Sequence, residues 1–361
     1  MIISRLLRYG RFFWFAWSST VLVLVAVWYY LGFQAALLAT LLVVLEVTFS
    51  FENSVINARI LKYMSHFWQQ IFLTIGILIA VFGMRIVFPI LLVSITAQLP
   101  MGEVLTLALN SPQQYTEYLE SAMPTIASFG GMFLLMVFLN YFVLENTDRL
   151  WLSKIETRIN RLPKRWYVAP GIAFAVLVLV ALAAGTELFQ TVLTAGSIGV
   201  ATYILIHGLV SYMQSKHLNP TAAAKKAGKV TELTGVGGLL AFLYLEVLDA
   251  SFSLDGVIGA FAITTSVILI AAGLGVGAVW VRSITIYLVR HQTLGRYAYL
   301  EHGAHYAIGL LALVLLADLF VHVPEMITGL LGVSIIVVAI VASVRLNANN
   351  KKSGGSAITG V

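Results

Sequence analysis

The chain contains no cysteine and few charged residues, and both shortages narrow its chemistry. Without cysteine it can form no disulfide, hold no thiolate metal site and use no cysteine nucleophile. Only 11% of its 361 residues are charged, whereas 60% are hydrophobic, and the mean hydropathy is +0.92. A soluble core of this length does not need so much apolar surface. The composition therefore predicts an all-α, polytopic membrane protein.

Long apolar runs set the expected number of membrane-spanning helices. Runs of about 17–25 apolar residues can cross a bilayer as helices. Ten such runs occur, near 12–32, 35–60, 67–97, 129–147, 167–185, 188–213, 233–262, 265–290, 303–321 and 326–345. The predicted fold is a transmembrane helical bundle of about ten helices.

The distribution of Lys and Arg predicts the orientation of these helices. The long segment 98–128 has no Lys or Arg. Apart from Arg85 and Arg282, every Lys and Arg falls in segments that ten crossings would place on one side of the membrane. By the positive-inside rule this side is the cytoplasm. The pattern predicts a multi-pass protein of the plasma (inner) membrane with both termini cytoplasmic. Because the positive charge is spread over several loops, topology explains it better than nucleic-acid binding does.

Acidic residues repeat inside two of the apolar runs. Glu46 and Glu52 lie in LEVTFSFEN, and Asp249 and Asp255 lie 203 positions later in LDASFSLDG. Glu246 adds a third acid one helical turn before Asp249. Carboxylates are costly in hydrocarbon, so five in two matching places indicate a functional site whose charge a cation offsets.

Each acidic run is followed by a run with one arginine, Arg85 or Arg282. In the predicted topology the two acid helices cross the membrane in opposite directions, which is typical of inverted-repeat transporters. The sequence predicts a first half, 1–186, and an inverted second half, 187–345, followed by a disordered cytoplasmic tail, 346–361. In each half an acid helix (35–60 or 233–262) precedes an arginine helix (67–97 or 265–290).

The candidate ligands are all hard oxygen donors, which suit Mn²⁺, Ca²⁺ or Mg²⁺. No histidine lies in either motif, which disfavours zinc. On a regular helix, Glu52 and Asp255 point away from the first acid of each pair, so we expect local unwinding near Asn53 and Gly256. The predicted metal-site residues are Glu46, Ser50, Glu52, Asn53, Glu246, Asp249, Ser253 and Asp255.

Other interpretations of these residues stay open. The acids can form buried ion pairs with Arg85 and Arg282, which then act as counter-ions or as gating residues. In the EHGAH segment, Glu301, His302 and His305 have a spacing that can bind metal on a helix, although groups at a membrane edge are more often solvated. Asp318, near the outer end of the ninth run, is a candidate for an exit path or for the membrane interface.

At the two motifs the chain resembles the TerC family of integral membrane proteins, within the LysE-type transporter superfamily. The family's first motif is an acid followed by Ser, an apolar residue, Asp and Asn, which Glu46, Ser50, Phe51, Glu52 and Asn53 match. The second, D-L-V-F-S-L-D-S, is matched by Asp249, Phe252, Ser253, Leu254 and Asp255. Glu52 replaces the usual Asp and Gly256 the usual Ser. The segments FGMRIVFPILLVS and YLEHGAHYAIG resemble an uncharacterised branch of the family. The resemblance implies efflux of divalent metal, manganese above all.

The expected function is therefore a secondary transporter that exports a divalent cation, with Mn²⁺ favoured over Ca²⁺ or Mg²⁺, in exchange for protons. Because no Walker sequence is present, we do not expect an ATP-hydrolysing enzyme. One alternative is a membrane assembly or metal-loading factor for exported proteins. An intramembrane aspartyl protease is disfavoured because the chain lacks G-x-G-D and has five acids where a dyad needs two. The sequence predicts no nucleic-acid partner and does not indicate an oligomeric state.

Overall fold

The computed structural model of the chain describes residues 2–144, 150–217, 232–264, 266–291, 297–321 and 323–352. The described residues form helices and connecting turns, with a single isolated β-bridge between Met64 and Leu233. The helices are α1 (Ile2–Leu31), α2 (Phe33–Phe49), α3 (Phe51–Leu61), α4 (His66–Leu78), a π-helix (Ile79–Val87), α5 (Phe88–Ala97), α6 (Met101–Asn110), α7 (Pro112–Leu144), α8 (Ser153–Ile159), α9 (Val168–Ala183), α10 (Gly185–His217), α11 (Gly235–Ile263), α12 (Val267–Arg290), α13 (Leu300–Ala317) and α14 (Glu325–Lys352).

The prediction of a polytopic helical membrane bundle is confirmed. Among the described residues, eight helices are long and apolar enough to span a membrane, and the bent pair α2–α3 makes a ninth. The shorter apolar helix α9 occupies the remaining predicted run. Each of the ten predicted runs therefore coincides with helix. The outward face of α1 is rich in large apolar and aromatic side chains, such as Leu22 and Tyr29, as expected for contact with lipid.

Two predicted boundaries are wrong. The fourth run was expected to begin near 129, but α7 begins at Pro112 and passes through Pro124 without a break. The tail was expected to be disordered from 346, but α14 continues to Lys352; residues 353–361 lie outside the described part of the chain. In both cases the helix continues past the end of the apolar run that defined the prediction.

Local breaks distinguish the two acid helices. The first bends by 49° between Phe33–Thr48 and Phe51–Leu61, with Ser50 at the bend. This is three residues before the expected position at Asn53, which lies within the regular helix α3. The second, α11, is a continuous helix through Asp255 and Gly256, so the expected unwinding there is wrong. A glycine permits a break, but it does not require one.

Helix α7 is the most buried candidate span and packs against α10 and α13. A second group of contacts joins α2 and α3 to α12, while the π-helix packs against both α11 and α12. The two acid helices and the two arginine helices therefore share one region of the bundle.

Candidate functional site

Glu46 is the centre of a first buried cluster. Its side chain is 5% exposed, and its Oε1 accepts hydrogen bonds from the Ser50 hydroxyl (3.0 Å) and from Nη2 of Arg85. Ser50 also donates its backbone N–H to the Glu46 carbonyl (2.9 Å) at the bend. The carboxylate of the first acid helix is thus paired with the guanidinium of the following arginine helix.

A wide helical turn holds Arg85 in this position. Arg85 lies in the π-helix Ile79–Val87, where Phe88 donates to the carbonyl of Gly83, five residues earlier. Pro89 follows, which has no N–H and whose ring would clash with the Arg85 carbonyl in an α-helix. The guanidinium also donates to the Ala80 carbonyl from the same wide turn. The chain adopts a π segment before this proline, a feature that often accompanies functional sites.

A second cluster surrounds Arg282. Its Nη2 lies 3.1 Å from Oε1 of Glu246 and 3.3 Å from Oδ2 of Asp249, and all three side chains are buried. The guanidinium carbon lies 3.8 Å from the centre of the Phe72 ring, a cation–π contact that helps to stabilise a buried cation. One positive charge, that of Arg282, therefore faces two carboxylates one helical turn apart and neutralises them only in part.

Glycines let each cluster pack against the other half of the chain. A Cβ at Gly277 on α12 would stand 2.5 Å from Cβ of Glu46. A Cβ at Gly76 on α4 would stand 2.9 Å from Oε1 of Glu246. Each acid thus pairs with the arginine of its own half and lies against the arginine helix of the other half. The glycines at these contacts were not singled out from the sequence, because only the tertiary structure shows what a side chain there would meet.

Glu46 also reaches the second acid helix. Its Oε2 would lie 3.2 Å from a Cβ at Gly256. Since Gly256 and Asp249 are seven residues apart on the continuous helix α11, they are separated by about 10.5 Å along its axis. The structure brings Glu46 to the second motif, but the two arginine clusters occupy different levels of α11.

The remaining first-motif residues line α3. Glu52 is 4% exposed, and its Oε1 would lie 3.2 Å from a Cβ at Gly332 on α14. Asn53 Oδ1 and both polar atoms of Asn57 are buried with no hydrogen-bond partner among the described residues. Such atoms cost about 1–3 kcal/mol each unless a polar partner reaches them.

The last helix contributes to this region, which sequence reasoning missed. Thr328 lies one turn before Gly332 on α14, and its buried hydroxyl also has no hydrogen-bond partner among the described residues. In the sequence, a glycine one turn from a threonine in an apolar run is only weak evidence of a polar site. The contact of Gly332 with Glu52 shows that this part of α14 faces the first acid helix.

Two predicted ligands are not placed. The side chains of Ser253 and Asp255 lie outside the described part of the structure. Among the side chains that are described, no three or more His, Asp or Glu are arranged to hold a metal ion. Three of the described acids, Glu46, Glu246 and Asp249, pair with an arginine, as the ion-pair interpretation predicted.

The EHGAH segment forms a different polar network. His302 and His305 are buried, contrary to the expectation of solvated side chains. His305 Nδ1 lies 2.7 Å from the Glu301 carbonyl, and its Nε2 lies 3.2 Å from Nη1 of Arg59. The carbonyl requires a proton on Nδ1 and the guanidinium requires a lone pair on Nε2, which together fix the neutral tautomer. Both ring nitrogens are engaged, so His305 could ligate a metal only by losing one of these contacts.

Asp318, the candidate for an exit path, lies in the turn after α13. Its Oδ1 accepts a hydrogen bond from the backbone N–H of Val323 (2.9 Å). This contact stabilises the connection to α14, as carboxylates commonly do in turns.

Comparison with known proteins places the chain by family and not by activity. A family model described as "Protein of unknown function (DUF475)" matches residues 51–350, which include the π-helix and both arginine clusters except Glu46 and Ser50. Searches of curated proteins and of solved structures found no match.

Proposed function

This chain belongs to the DUF475 family, whose function is unknown, and we propose that it is a secondary transporter that exports a divalent metal cation, with Mn²⁺ as the favoured substrate. The cation would pass along the buried polar surface formed by the two acid helices, of which α2 and α3 make the first. Protons are the proposed counter-ion, because a carboxylate that releases a metal can take up a proton.

The charge balance of the buried side chains carries this proposal. Four carboxylates of the two acid helices are buried, those of Glu46, Glu52, Glu246 and Asp249. A fifth buried carboxylate, Glu156 on α8, accepts hydrogen bonds from the backbone N–H groups of Trp151 and Leu152. Of the described Lys and Arg side chains, only Arg85 and Arg282 are buried. Carboxylates without sufficient counter-charge are strongly unfavourable in a membrane protein interior. A divalent cation, or protons in its place, would supply the balance.

In this mechanism, Arg85 and Arg282 compete with the transported ion for the same carboxylates. A cation that binds Glu46 must draw it away from Arg85, and one that binds Asp249 must compete with Arg282. The orphan oxygens of Asn53 and Thr328 are hard donors that suit Mn²⁺ once the carboxylates turn towards it. The identity of the metal also rests on the resemblance to TerC proteins.

Flux into proteoliposomes tests the proposal. The purified chain is reconstituted, and Mn²⁺ entry is followed with and without a pH gradient. We expect flux from the intact protein and at least about tenfold slower flux from Asp249→Asn and Glu46→Gln, because each variant removes a charge that the ion requires. Glu103→Gln, an exposed acid on α6, is the matched control and should keep its flux.

The same experiment separates transport from a metal-loading role. A loading factor binds Mn²⁺ but does not move it across the bilayer. Saturable Mn²⁺ binding with no flux in vesicles that hold correctly folded protein would reject the transporter and favour the loading factor. Flux of Ca²⁺ in preference to Mn²⁺ would retain transport but change the substrate.

A further inference from the structure

A cavity of about 200 Å³ lies apart from the residues that pair with Arg85 and Arg282. It is formed near the ends of four helices, the last turns of α3 and α7 and the first turns of α11 and α13, and beside the middle of α10. These ends adjoin the loops that carry the basic residues. Backbone hydrogen bonds between Tyr63 and Leu233 (2.7 Å) and between Leu233 and Ser65 (3.0 Å) hold its rim together.

The polar groups that line this cavity include a cation, and none of the described lining residues is acidic. Arg59 supplies a guanidinium and Asn140 an amide, and these lie 3.2 Å from Nε2 of His305 and of His207 respectively. Tyrosines from four segments add hydroxyl groups: Tyr63, Tyr141, Tyr203 and Tyr244. A cation site would be expected to show the opposite pattern, with carboxylates and without an arginine.

The local charge is positive after ion pairing is counted. Arg59 Nε lies 3.5 Å from Oε2 of Glu301, and Lys62 Nζ lies 3.4 Å from Oε1 of the same residue. One carboxylate is therefore shared by two cations. Of Arg59, Lys62 and Glu301, only Arg59 lines the cavity, so this part of the wall carries a positive charge.

The rest of the wall is apolar or aromatic and rigidly packed. The Tyr141 ring stacks on His305 with centroids 3.6 Å apart, and the Tyr203 ring stacks on His207 at 5.2 Å. Ile56, Ile60 and Val137 complete an apolar side. Pockets with a few placed polar groups among apolar walls are typical of small-molecule sites.

We propose that this cavity binds a small organic oxyanion about the size of a phosphate monoester. Its charged end would meet Arg59, and its organic part would lie among the tyrosine rings. Arginine with neighbouring amide and hydroxyl donors is a common set for such oxygens. The site shares helix α3 with Glu52 and Asn57, and its occupancy is independent of whether the chain transports metal.

Calorimetric titration of the purified full chain tests this site with three probes that differ in charge. Phenyl phosphate should bind saturably, phenol should bind at least about tenfold more weakly because it lacks the charge that Arg59 meets, and tetramethylammonium should not compete. Saturable binding of phenol equal to that of phenyl phosphate, or displacement of phenyl phosphate by tetramethylammonium, would overturn the assignment.

Variants locate the binding in the cavity. Arg59→Gln should weaken phenyl phosphate binding by about tenfold or more, since charged hydrogen bonds are the strong ones. Lys62→Gln is the matched control: it removes the other partner of Glu301 but no part of the wall, and should change affinity by less than about twofold. Ala241→Leu, a buried wall position, should remove binding by filling the space while leaving Arg59 in place. Equal effects of the two charge variants, or full affinity in Ala241→Leu, would place the binding elsewhere.

The oxyanion could come from the cytosol or from a lipid headgroup, and two further arms separate these sources. Inorganic phosphate should compete with phenyl phosphate in detergent if free phosphates are the natural ligands. Phosphatidic acid in nanodiscs should raise the apparent Kd of phenyl phosphate, relative to phosphatidylcholine alone, if a lipid headgroup enters the cavity. No competition in either arm would contradict recognition of the phosphate group.

Discussion

Among single residues, Glu46 has the most fully determined environment. Its carboxylate meets Ser50 and Arg85, its methylenes lie against Gly277, and its second oxygen faces Gly256. Four segments of chain therefore fix one side chain. A buried charge held this tightly costs more to isolate than to remove together with its partner.

Arg85→Gln should destabilise the protein by about 3–5 kcal/mol, because it leaves Glu46 buried without its counter-charge. Adding Glu46→Gln should restore part of this loss. Chemical or thermal unfolding of the two single variants and the double variant in detergent measures the coupling between them. Arg158→Gln, on the exposed face of α8, is the control for loss of an arginine. Additive losses in the double variant would show that the pair is not coupled.

Gly277→Ala should separate Glu46 from Arg85, because the new Cβ would stand 2.5 Å from Cβ of Glu46. We expect Mn²⁺ flux to fall by about tenfold or more, since groups at a site tolerate only small displacements. Gly171→Ala on α9 is matched to it, because a Cβ there meets nothing within 4 Å. Normal flux in Gly277→Ala would show that the position of Glu46 does not govern transport.

Sequence reasoning identified the residues of both clusters but not how they are shared. The repeated acids and the two intramembrane arginines can be recognised in the sequence, because charged residues are costly, and therefore rare, inside apolar runs. That Arg282 serves both Glu246 and Asp249, and that glycines cradle Glu46 and Glu246, depends on packing between segments far apart in the chain.

Among the elements, the first arginine helix departs most from regular geometry. A proline predicts a disturbance of the preceding turn, but several outcomes relieve the same clash: a kink, a break or a wide turn. Here the wide turn is selected, with Arg85 donating to both Ala80 and Glu46. In the first acid helix, helical geometry predicts a break near Asn53, because Glu52 otherwise points away from Glu46, and the bend lies nearby at Ser50.

Pro89→Ala should let this segment return to a regular α-helix, because residue 89 regains an N–H for the Arg85 carbonyl. Each residue removed from a wide turn rotates the following side chains by about 100°. We expect the coupling energy between Glu46 and Arg85 to fall to less than about half when the double-variant measurement is repeated in this background. Pro124→Ala, within the regular helix α7, should leave that coupling unchanged. An undiminished coupling in Pro89→Ala would mean that the proline does not set the position of Arg85.

For the whole molecule, apolar runs were sufficient to locate the helices of the bundle. The ends of the helices were less predictable. Helices α7 and α14 extend beyond the apolar runs into more polar sequence, where hydropathy no longer marks a helix. The orientation of the bundle and the inverted relation of its halves stay predictions from charge distribution and motif spacing.

The absence of cysteine makes the orientation directly measurable. Single cysteines placed at the exposed positions Glu103 and Glu117 should react with a membrane-impermeant maleimide in intact cells. Cysteines at Lys154 and Arg161, exposed in a basic loop, should react only after the membrane is opened. The reverse pattern would invert the topology, and labelling of all four in intact cells would contradict the sorting of the loops.

In the proposed mechanism, the buried carboxylates take a divalent cation in competition with the arginines. Equilibrium binding of Mn²⁺ to the purified full chain, followed by the electron paramagnetic resonance signal of free Mn²⁺, measures this directly. We predict saturable binding that is weakened by Glu46→Gln and Asp249→Asn, strengthened by Arg282→Gln in protein that remains folded, and unchanged in Glu103→Gln. Mn²⁺ binding that is absent from the intact chain, or equal in all four variants, would contradict the account.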